Sequence, residues 1–280
     1  DLHPGYMTSH LATRISQETD TDLVRSQHHH AHIVDVSAEH MITKDDPVIG
    51  VAIDGAGYGI DQAIWGGEVI ISNYSGFDRV GHLEYLPMPG GDLCTLYPFR
   101  MLVAALTNVI SDDEIRDITK NHITNGALPY GERELELIMK MSRDERTIKT
   151  SSGGRFLDAI SALIGVCYRR TYEGEPAMRL EPLATLGMLN KLGIEPEIYR
   201  KEGIFILKTS DILYKMVEMS NKVNFRDIAV FGQEYLASGL AEIALRVGKE
   251  KGISMVALSG GVFVNDFITN RITKRLSGEG

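Results

Sequence analysis

Four histidines near the start of the chain are the residues best suited to chemistry. His28, His29, His30 and His32 fall within the short segment Gln-His-His-His-Ala-His. The stretch from Arg25 to Met41 contains no Gly or Pro, which predicts a helix. In a helix, His28 and His32 are one turn apart on the same face. Two imidazoles in that relation can ligate one divalent ion, whereas the alternative is a solvated polar helix face.

Asp54 supplies a third candidate ligand. The β-branched run Val48–Ile53 predicts a strand, and Asp54 stands at its end. A carboxylate arriving from a strand end would complete a three-ligand set with a position left for substrate or water. The sequence therefore predicts a metal site at His28, His32 and Asp54. Nitrogen and oxygen ligands admit Zn, Fe or Ni, and His29 and His30 then point away or one of them meets the substrate.

Glycine-rich turns suggest anion sites. The segment Asp54–Gly59 is an anion cradle or the turn of a hairpin to a second strand, Ala63–Ser72. A strand at Met255–Leu258 runs into Gly260 and Gly261 and then into a helix from Asp266. A double glycine before a helix N-terminus is typical of a phosphate site, because free N–H groups and the helix dipole face the anion.

Four other residues are candidate ligand contacts. Asp158 lies in the first turn of a predicted helix, Phe156–Tyr168, where it interacts with the helix dipole or accepts bonds from a ribose. Gly174 would let a ligand approach the backbone, and Glu175 beside it could bind a ribose or an amine. Arg100 is either a surface charge or an anion clamp, since its planar fork suits phosphate groups.

Composition limits the classes of function. The 280 residues are 43% hydrophobic, which suits a large globular core, and the net charge of −9 argues against nucleic acid as a partner. Cys94 and Cys167 are the two cysteines, too few for a disulfide framework, and a reducing cytoplasm is expected. We find no apolar run of membrane-spanning length and therefore expect no membrane association.

Several motifs in order along the chain resemble one family. They are QHHHAH, DGAGYG, IWGGE, LPMPGGD, SSGGRFLDAISALIG, TYEGEPAMRLE and LSGGVFVN. Together they are similar to the C-terminal carbamoyltransferase region of HypF, which acts in the maturation of [NiFe]-hydrogenases.

The resemblance implies a fold and an activity. The fold would be a two-lobed α/β ATPase fold of the actin/Hsp70/sugar-kinase type with a helical insertion. The activity would be transfer of a carbamoyl group to the C-terminal cysteine of HypE, as precursor of the cyanide ligands. The donor would be a carbamoyl-adenylate made from carbamoyl phosphate and ATP, and the divalent metal, Zn or Fe, would be a Lewis acid. The residues expected to contact the nucleotide are Gly154, Asp158, Gly174, Glu175, Gly260, Gly261 and Asn265.

The chain is expected to be a piece of a longer protein. By resemblance, strands of the first lobe precede it, and a loop that supplies one more metal ligand, an Asp, follows it. We predict an N-terminal helical segment at 1–45 with the histidines and an ATPase-like core at 46–280. The helical insertion is placed at about 101–150, and a later helix at Leu183–Leu192.

Two alternatives to this function remain. One is another carbamoyltransferase of the same fold, either TobZ-like or a TsaD-like threonylcarbamoyl enzyme, the latter disfavoured by the acidic charge. The other is a non-catalytic nucleotide- and metal-binding scaffold that docks HypE. A metalloprotease is disfavoured because the two histidines do not form an HExxH motif.

Overall fold

A twisted eight-stranded sheet forms the centre of the computed structural model, which describes residues 1–188 and 195–278. The strands are β1 (Val48–Tyr58), β2 (Ile64–Asn73), β3 (Gly76–Leu83), β4 (Leu86–Pro87), β5 (Lys149–Thr150), β6 (Ile198–Lys201), β7 (Ile204–Leu207) and β8 (Val256–Ser259). The main path runs β8-β1-β2-β3-β7-β6, with β8 parallel to β1 and β7 parallel to β3. The short strands β5 and β4 attach beside the start of β2.

Helices cover the sheet. They are α1 (Met7–Thr19), α2 (His28–Glu39), α3 (Leu93–Leu96), α4 (Phe99–Leu106), α5 (Asp112–Thr124), α6 (Gly131–Ser142), α7 (Gly153–Leu163), α8 (Glu175–Leu186), α9 (Ser210–Ser220), α10 (Phe225–Lys251) and α11 (Asp266–Ser277). A 3₁₀ turn, Gly261–Val264, connects β8 to α11. None of the helices that the structure describes is long and apolar enough to cross a membrane.

Alternate residues of β1 face two different layers, as the pleat requires. Val48 and Ala52 pack with Ile33 of α2 on one side of the sheet. Ile49 and Ile53 belong to the larger core on the other side, which includes α4, α7 and α10. The central strand is therefore buried on both faces, and Ile33 of α2 belongs to its smaller core.

Close packing fixes where α2 lies. A Cβ added to Gly50 of β1 would stand 2.4 Å from Cγ1 of Ile33, so the helix can approach the strand only because that position is glycine. Ile33 is fully buried. This contact brings the N-terminal end of α2, with its histidines, to the middle of β1.

Some predicted boundaries differ from the observed ones. The strand predicted at Val48–Ile53 continues to Tyr58, so the Asp-Gly-Ala-Gly segment lies in an irregular strand rather than in a free loop. All of α4 is buried, so the solvated helices of the predicted insertion are α5 and α6. In the region of the helix predicted at Leu183–Leu192, α8 ends at Leu186, and residues 189–192 lie outside the described residues.

Candidate functional site

His28, His32 and Asp54 meet at one point, which we call the His–His–Asp trio. His28 is the first residue of α2, which starts there because the Gln27 side chain caps it, accepting from the His30 N–H at 3.0 Å. The Nε2 atoms of His28 and His32 lie 3.1 and 3.4 Å from Oδ2 of Asp54. One ligand atom from each residue fits within 4.8 Å of the others. The structure thus brings together the three predicted ligands.

A β-bulge directs Asp54 towards the histidines. The register of β1 against β2 shifts between Ile53 and Gly57, and such bulges re-aim the side chains around them. The Gly55 N–H donates to Asp54 Oδ1 at 2.7 Å. Burial would raise the pKa of Asp54, but the contacts with His28, His32 and the Gly55 N–H outweigh it and hold that pKa well below its usual range. Asp54 is therefore ionised at neutral pH.

The two remaining histidines of the motif have separate partners. His29 is fully buried, with Nδ1 3.1 Å from the Gln27 amide, and a Cβ on Gly57 would stand 2.4 Å from its Cε1. Burial lowers the pKa of His29 to about 4. His30 places Nε2 2.8 Å from the carbonyl oxygen of Asn73. Both side chains hold α2 on the sheet rather than joining the trio.

The double glycine after β8 lies against the same part of β1. Gly260 has φ +108°, and a Cβ there would stand 2.4 Å from the carbonyl oxygen of Ile53, so only glycine fits. A Cβ on Gly261 would stand 3.1 Å from Oδ1 of Asp54. The predicted phosphate turn is therefore adjacent to the trio.

The N-terminus of α7 is the third element at this point. The Ser152 hydroxyl accepts from the Arg155 N–H at 3.1 Å and donates to the carbonyls of Asp54 and Gly55 at 2.9 and 2.7 Å. A Cβ on Gly154 would lie 2.9 Å from Cα of Gly55. By contrast, a Cβ on Gly55 would meet no atom of the described residues within 4 Å. Gly55 is thus held from one side and open on the other, where a ligand could approach it.

Asn265 and the start of α11 have more internal partners than expected. The Asn265 side chain caps α11, accepting from Ile268 N–H at 3.0 Å, and donates to Gln233 at 2.8 Å. Glu181 accepts from the Asp266 N–H at 2.7 Å. Two of the first three helix amides are therefore already bonded, which corrects the expectation of free N–H groups at this terminus. Nucleotide contact by Asn265 stays a prediction, because one amide hydrogen remains to donate.

Asp158 forms a buried ion pair. Its Oδ2 accepts from Arg155 Nε at 2.7 Å, while Oδ1 has no hydrogen-bond partner among the described residues. Burial raises the pKa of Asp158 despite the opposing effect of Arg155. This oxygen is buried among protein atoms, and the ribose contact of Asp158 stays a prediction.

The Gly174–Glu175 pair begins α8. Gly174 has φ +73° and caps the helix, a conformation that favours glycine for backbone reasons alone. Glu175 accepts from the N–H and hydroxyl of Thr171 at 2.6 and 2.8 Å, and these bonds lower its pKa. Both residues thus have local structural roles, and their contact with a nucleotide stays a prediction.

Arg100 is neither a surface charge nor an open anion clamp. It is buried, donates through Nε and Nη2 to the carbonyl oxygen of Pro89 at 3.2 Å, and pairs through Nη1 with Glu134. The guanidinium of Arg100 therefore connects α4, which carries it, to α6 and to the loop of Pro89 through its hydrogen bonds. This corrects the proposed role, because the guanidinium is turned into the protein.

Sequence reasoning did not predict the buried ion pair of Glu68 and Arg79. Glu68 is fully buried and accepts from Arg79 Nε at 2.6 Å, from Ser151 Oγ at 2.5 Å and from the Gly66 N–H at 3.1 Å. Arg79 stacks on the Trp65 ring at 3.9 Å. The sequence did contain a signal for it, because a Glu within an apolar strand is expected to be buried and a buried carboxylate needs a cationic partner.

Two family models match the chain. Residues 1–39 match the model described as the HypF Kae1-like domain. Residues 50–280 match the model described as a carbamoyltransferase, Kae1-like domain, second subdomain.

Curated relatives agree with these matches. The probable carbamoyltransferase HypF of Methanocaldococcus jannaschii is 38% identical over the whole chain, which covers 35% of that protein. The carbamoyltransferase HypF homolog of Cupriavidus necator is 33% identical, and the chain covers 70% of it. The chain therefore spans little more than a third of the first relative's length.

Two solved structures are similar over the whole chain. The crystal structure of T. kodakarensis HypF is 40% identical with a TM-score of 0.89, and the chain covers 36% of it. A crystal structure of full-length HypF in the phosphate- and nucleotide-bound form is 33% identical with a TM-score of 0.85, and 42% of it is covered. The predicted α/β fold of the actin-like ATPase type is confirmed by this similarity.

Proposed function

The chain belongs to the HypF carbamoyltransferase family, and on that premise we propose that it forms a site for carbamoyl transfer from a carbamoyl-adenylate to a thiolate. The acceptor is the C-terminal cysteine of a HypE-like protein. The observation that carries the proposal is the position of the His–His–Asp trio directly beside Gly261 and the open side of Gly55. A cation site and a site for an anionic ligand are thus adjacent.

The geometry of the trio suits a divalent cation. Ligand bonds of about 2.0–2.1 Å in a tetrahedral zinc site put neighbouring ligand atoms about 3.3 Å apart. The two imidazole nitrogens lie 3.1 and 3.4 Å from Asp54 Oδ2. The set combines one anionic oxygen with two nitrogens, which Zn²⁺ and Fe²⁺ both accept. A cation bound there would supply Lewis acidity towards a carbonyl or phosphoanhydride oxygen.

The chain's own residues would position the donor. The adenylate phosphate approaches the N–H groups around Gly260 and Gly261, while the open face of Gly55 leaves room for the carbamoyl group. The description of full-length HypF as phosphate- and nucleotide-bound supports such a ligand for a relative. Ser152 fixes the carbonyls of Asp54 and Gly55 and so keeps the donor site rigid.

The transfer step is an acyl substitution. The cysteine thiolate attacks the carbamoyl carbon, a C–S bond forms, and the C–O bond to the adenylate phosphate breaks with its electron pair leaving on AMP. The products are an S-carbamoyl cysteine and AMP. The nucleophile comes from the partner, and Cys94 and Cys167 are both buried, with burial raising the pKa of the Cys94 thiol to about 12.

The test supplies pre-formed carbamoyl-adenylate and a peptide with the C-terminal sequence of a HypE-like protein to the metal-loaded chain. Mass spectrometry should detect one carbamoyl group on the peptide cysteine, and His32→Ala should abolish transfer. His40→Gln, which changes an exposed histidine at the C-terminal end of the same helix, is the matched control. Metal and nucleotide binding without any transfer would instead favour the non-catalytic scaffold.

A further inference from the structure

The carboxylate of Asp1 contacts the outer nitrogen of His28. Asp1 Oδ2 lies 2.9 Å from His28 Nδ1, on the opposite side of the ring from Asp54. Asp1 is itself fixed, because its Oδ1 accepts from the His3 N–H at 2.8 Å. The His3 ring stacks on Tyr6, with ring centroids 4.2 Å apart. Both carboxylate oxygens of Asp1 are thus engaged.

The contact with Asp1 favours one tautomer of His28. An ionised carboxylate can only accept, so the hydrogen between these atoms belongs to Nδ1 of His28. In the neutral ring, Nε2 then carries a lone pair and no hydrogen. Nε2 lies 3.1 Å from Oδ2 of Asp54, which is also an acceptor. Without a cation, Asp54 therefore competes with Asp1 for the ring hydrogen, whereas a cation at the trio takes the Nε2 lone pair and leaves the hydrogen on Nδ1 facing Asp1.

We propose that Asp1 is a positioning residue that holds His28 as the Nδ1–H tautomer, with its Nε2 lone pair directed at the metal position. This inference rests on the metal site of the proposed function. A carboxylate behind a ligating histidine fixes the ring and increases its basicity, and loss of such a partner typically costs about 10–100-fold in metal affinity.

His32, the other histidine of the trio, has a weaker hydrogen-bond partner at its outer nitrogen. His32 Nδ1 lies 3.4 Å from the Ser259 hydroxyl, which can either donate or accept. A neutral hydroxyl at that distance does not select one tautomer. The contact with Asp1 is therefore specific to His28. Removal of Asp1 should change the tautomer of His28 but not that of His32.

Two measurements on the same variants test the inference. The first is Zn²⁺ affinity by competition with a chromophoric chelator, for the unmodified chain, Asp1→Ala and the control Asp22→Ala, which removes an exposed carboxylate of the same region. The second is the ¹⁵N shift pattern of the His28 ring in metal-free protein at a pH where the ring is neutral, which reports the tautomer directly. Circular dichroism checks that each variant is folded.

We expect Asp1→Ala to weaken Zn²⁺ binding by about 10–100-fold. In metal-free protein the Nδ1–H form of His28 should lose population to the Nε2–H form, because Asp54 remains as the acceptor, while Asp22→Ala alters neither measurement. An unchanged His28 tautomer or unchanged affinity in Asp1→Ala would overturn the inference. If the unmodified chain binds no Zn²⁺ although His28 is the Nδ1–H form, the Asp1 contact is supported and the proposed metal site is the part that fails.

Discussion

Gly154 at the start of α7 lies directly against Gly55 of β1, so close that a Cβ on Gly154 would stand 2.9 Å from Cα of Gly55. The neighbouring Ser152 bonds to the carbonyl of the same residue at 2.7 Å. Helix α7 is therefore clamped to the strand segment that carries Asp54. The shape of the candidate site depends on this close approach.

Gly154→Ala should push α7 away from β1. Overpacking of this kind costs about 1–3 kcal/mol, and we expect a loss of that size in the free energy of unfolding from denaturant titration. The same shift should weaken Zn²⁺ binding because Asp54 moves. Gly76→Ala is the control, since a Cβ there would meet no described atom within 4 Å. Equal stability of the two variants would contradict the clamp.

Gly55→Ala should separate ligand binding from folding. A methyl group at this position meets no atom of the described residues, so the unfolding free energy should stay the same or rise by up to about 1 kcal/mol. The methyl group would occupy the open side beside the trio, where the proposal places the carbamoyl group, and we expect the affinity for carbamoyl-adenylate to fall at least about tenfold, or about 1.4 kcal/mol, with AMP affinity unchanged. Full carbamoyl-adenylate affinity in this variant would place the carbamoyl group elsewhere.

Arg79→Met should leave Glu68 as a buried and unpaired carboxylate. Removing one partner of a buried pair costs about 3–5 kcal/mol, which thermal or denaturant unfolding will detect. Because Ser151 also bonds to Glu68, the variant should loosen the start of α7 and weaken metal binding. Arg116→Ala breaks an exposed pair with Glu136 and should change stability far less. Similar losses of unfolding free energy in both variants would contradict a large contribution of the Glu68–Arg79 pair to stability.

His29 should make the metal-free protein less stable in mild acid. Burial lowers its pKa to about 4 from 6.5, so between those pH values the unfolded chain binds a proton that the folded chain does not. Stability from this residue is complete above pH 6.5 and falls on acidification by about 1.4 kcal/mol per pH unit.

The measurement is the pH slope of the unfolding free energy between pH 5 and 6.5. His29→Gln should reduce that slope by about one proton, whatever its effect on absolute stability. His10→Gln, which replaces an exposed histidine, is the control. His82 is buried and His122 is partly buried, and burial lowers the pKa of both, so some slope should remain in the variant. An unchanged slope would mean that His29 is protonated in the folded protein.

The spacing of polar residues was enough to predict the trio. Helical periodicity placed His28 and His32 on one face, and the strand pattern placed Asp54 at the end of a strand. Both inferences depend on local geometry, which a short segment determines by itself. The order of the motifs likewise identified the family, which the comparisons confirm.

Side-chain partners distant in sequence could not be predicted in the same way. Arg100 looked like a surface charge or an anion clamp until the fold placed it between Glu134 and the Pro89 carbonyl. The amides at the start of α11 looked free until Glu181 and Asn265 occupied them.

The sequence by itself determined which residues can ligate a metal, which turns require glycine and which family the chain resembles, because these follow from residue type and short-range spacing. Only the tertiary structure decided which charges are already paired, which glycine faces open space and that Asp1 stands behind His28. Those properties depend on contacts across tens of residues, and chain packing, not local pattern, determines which groups meet.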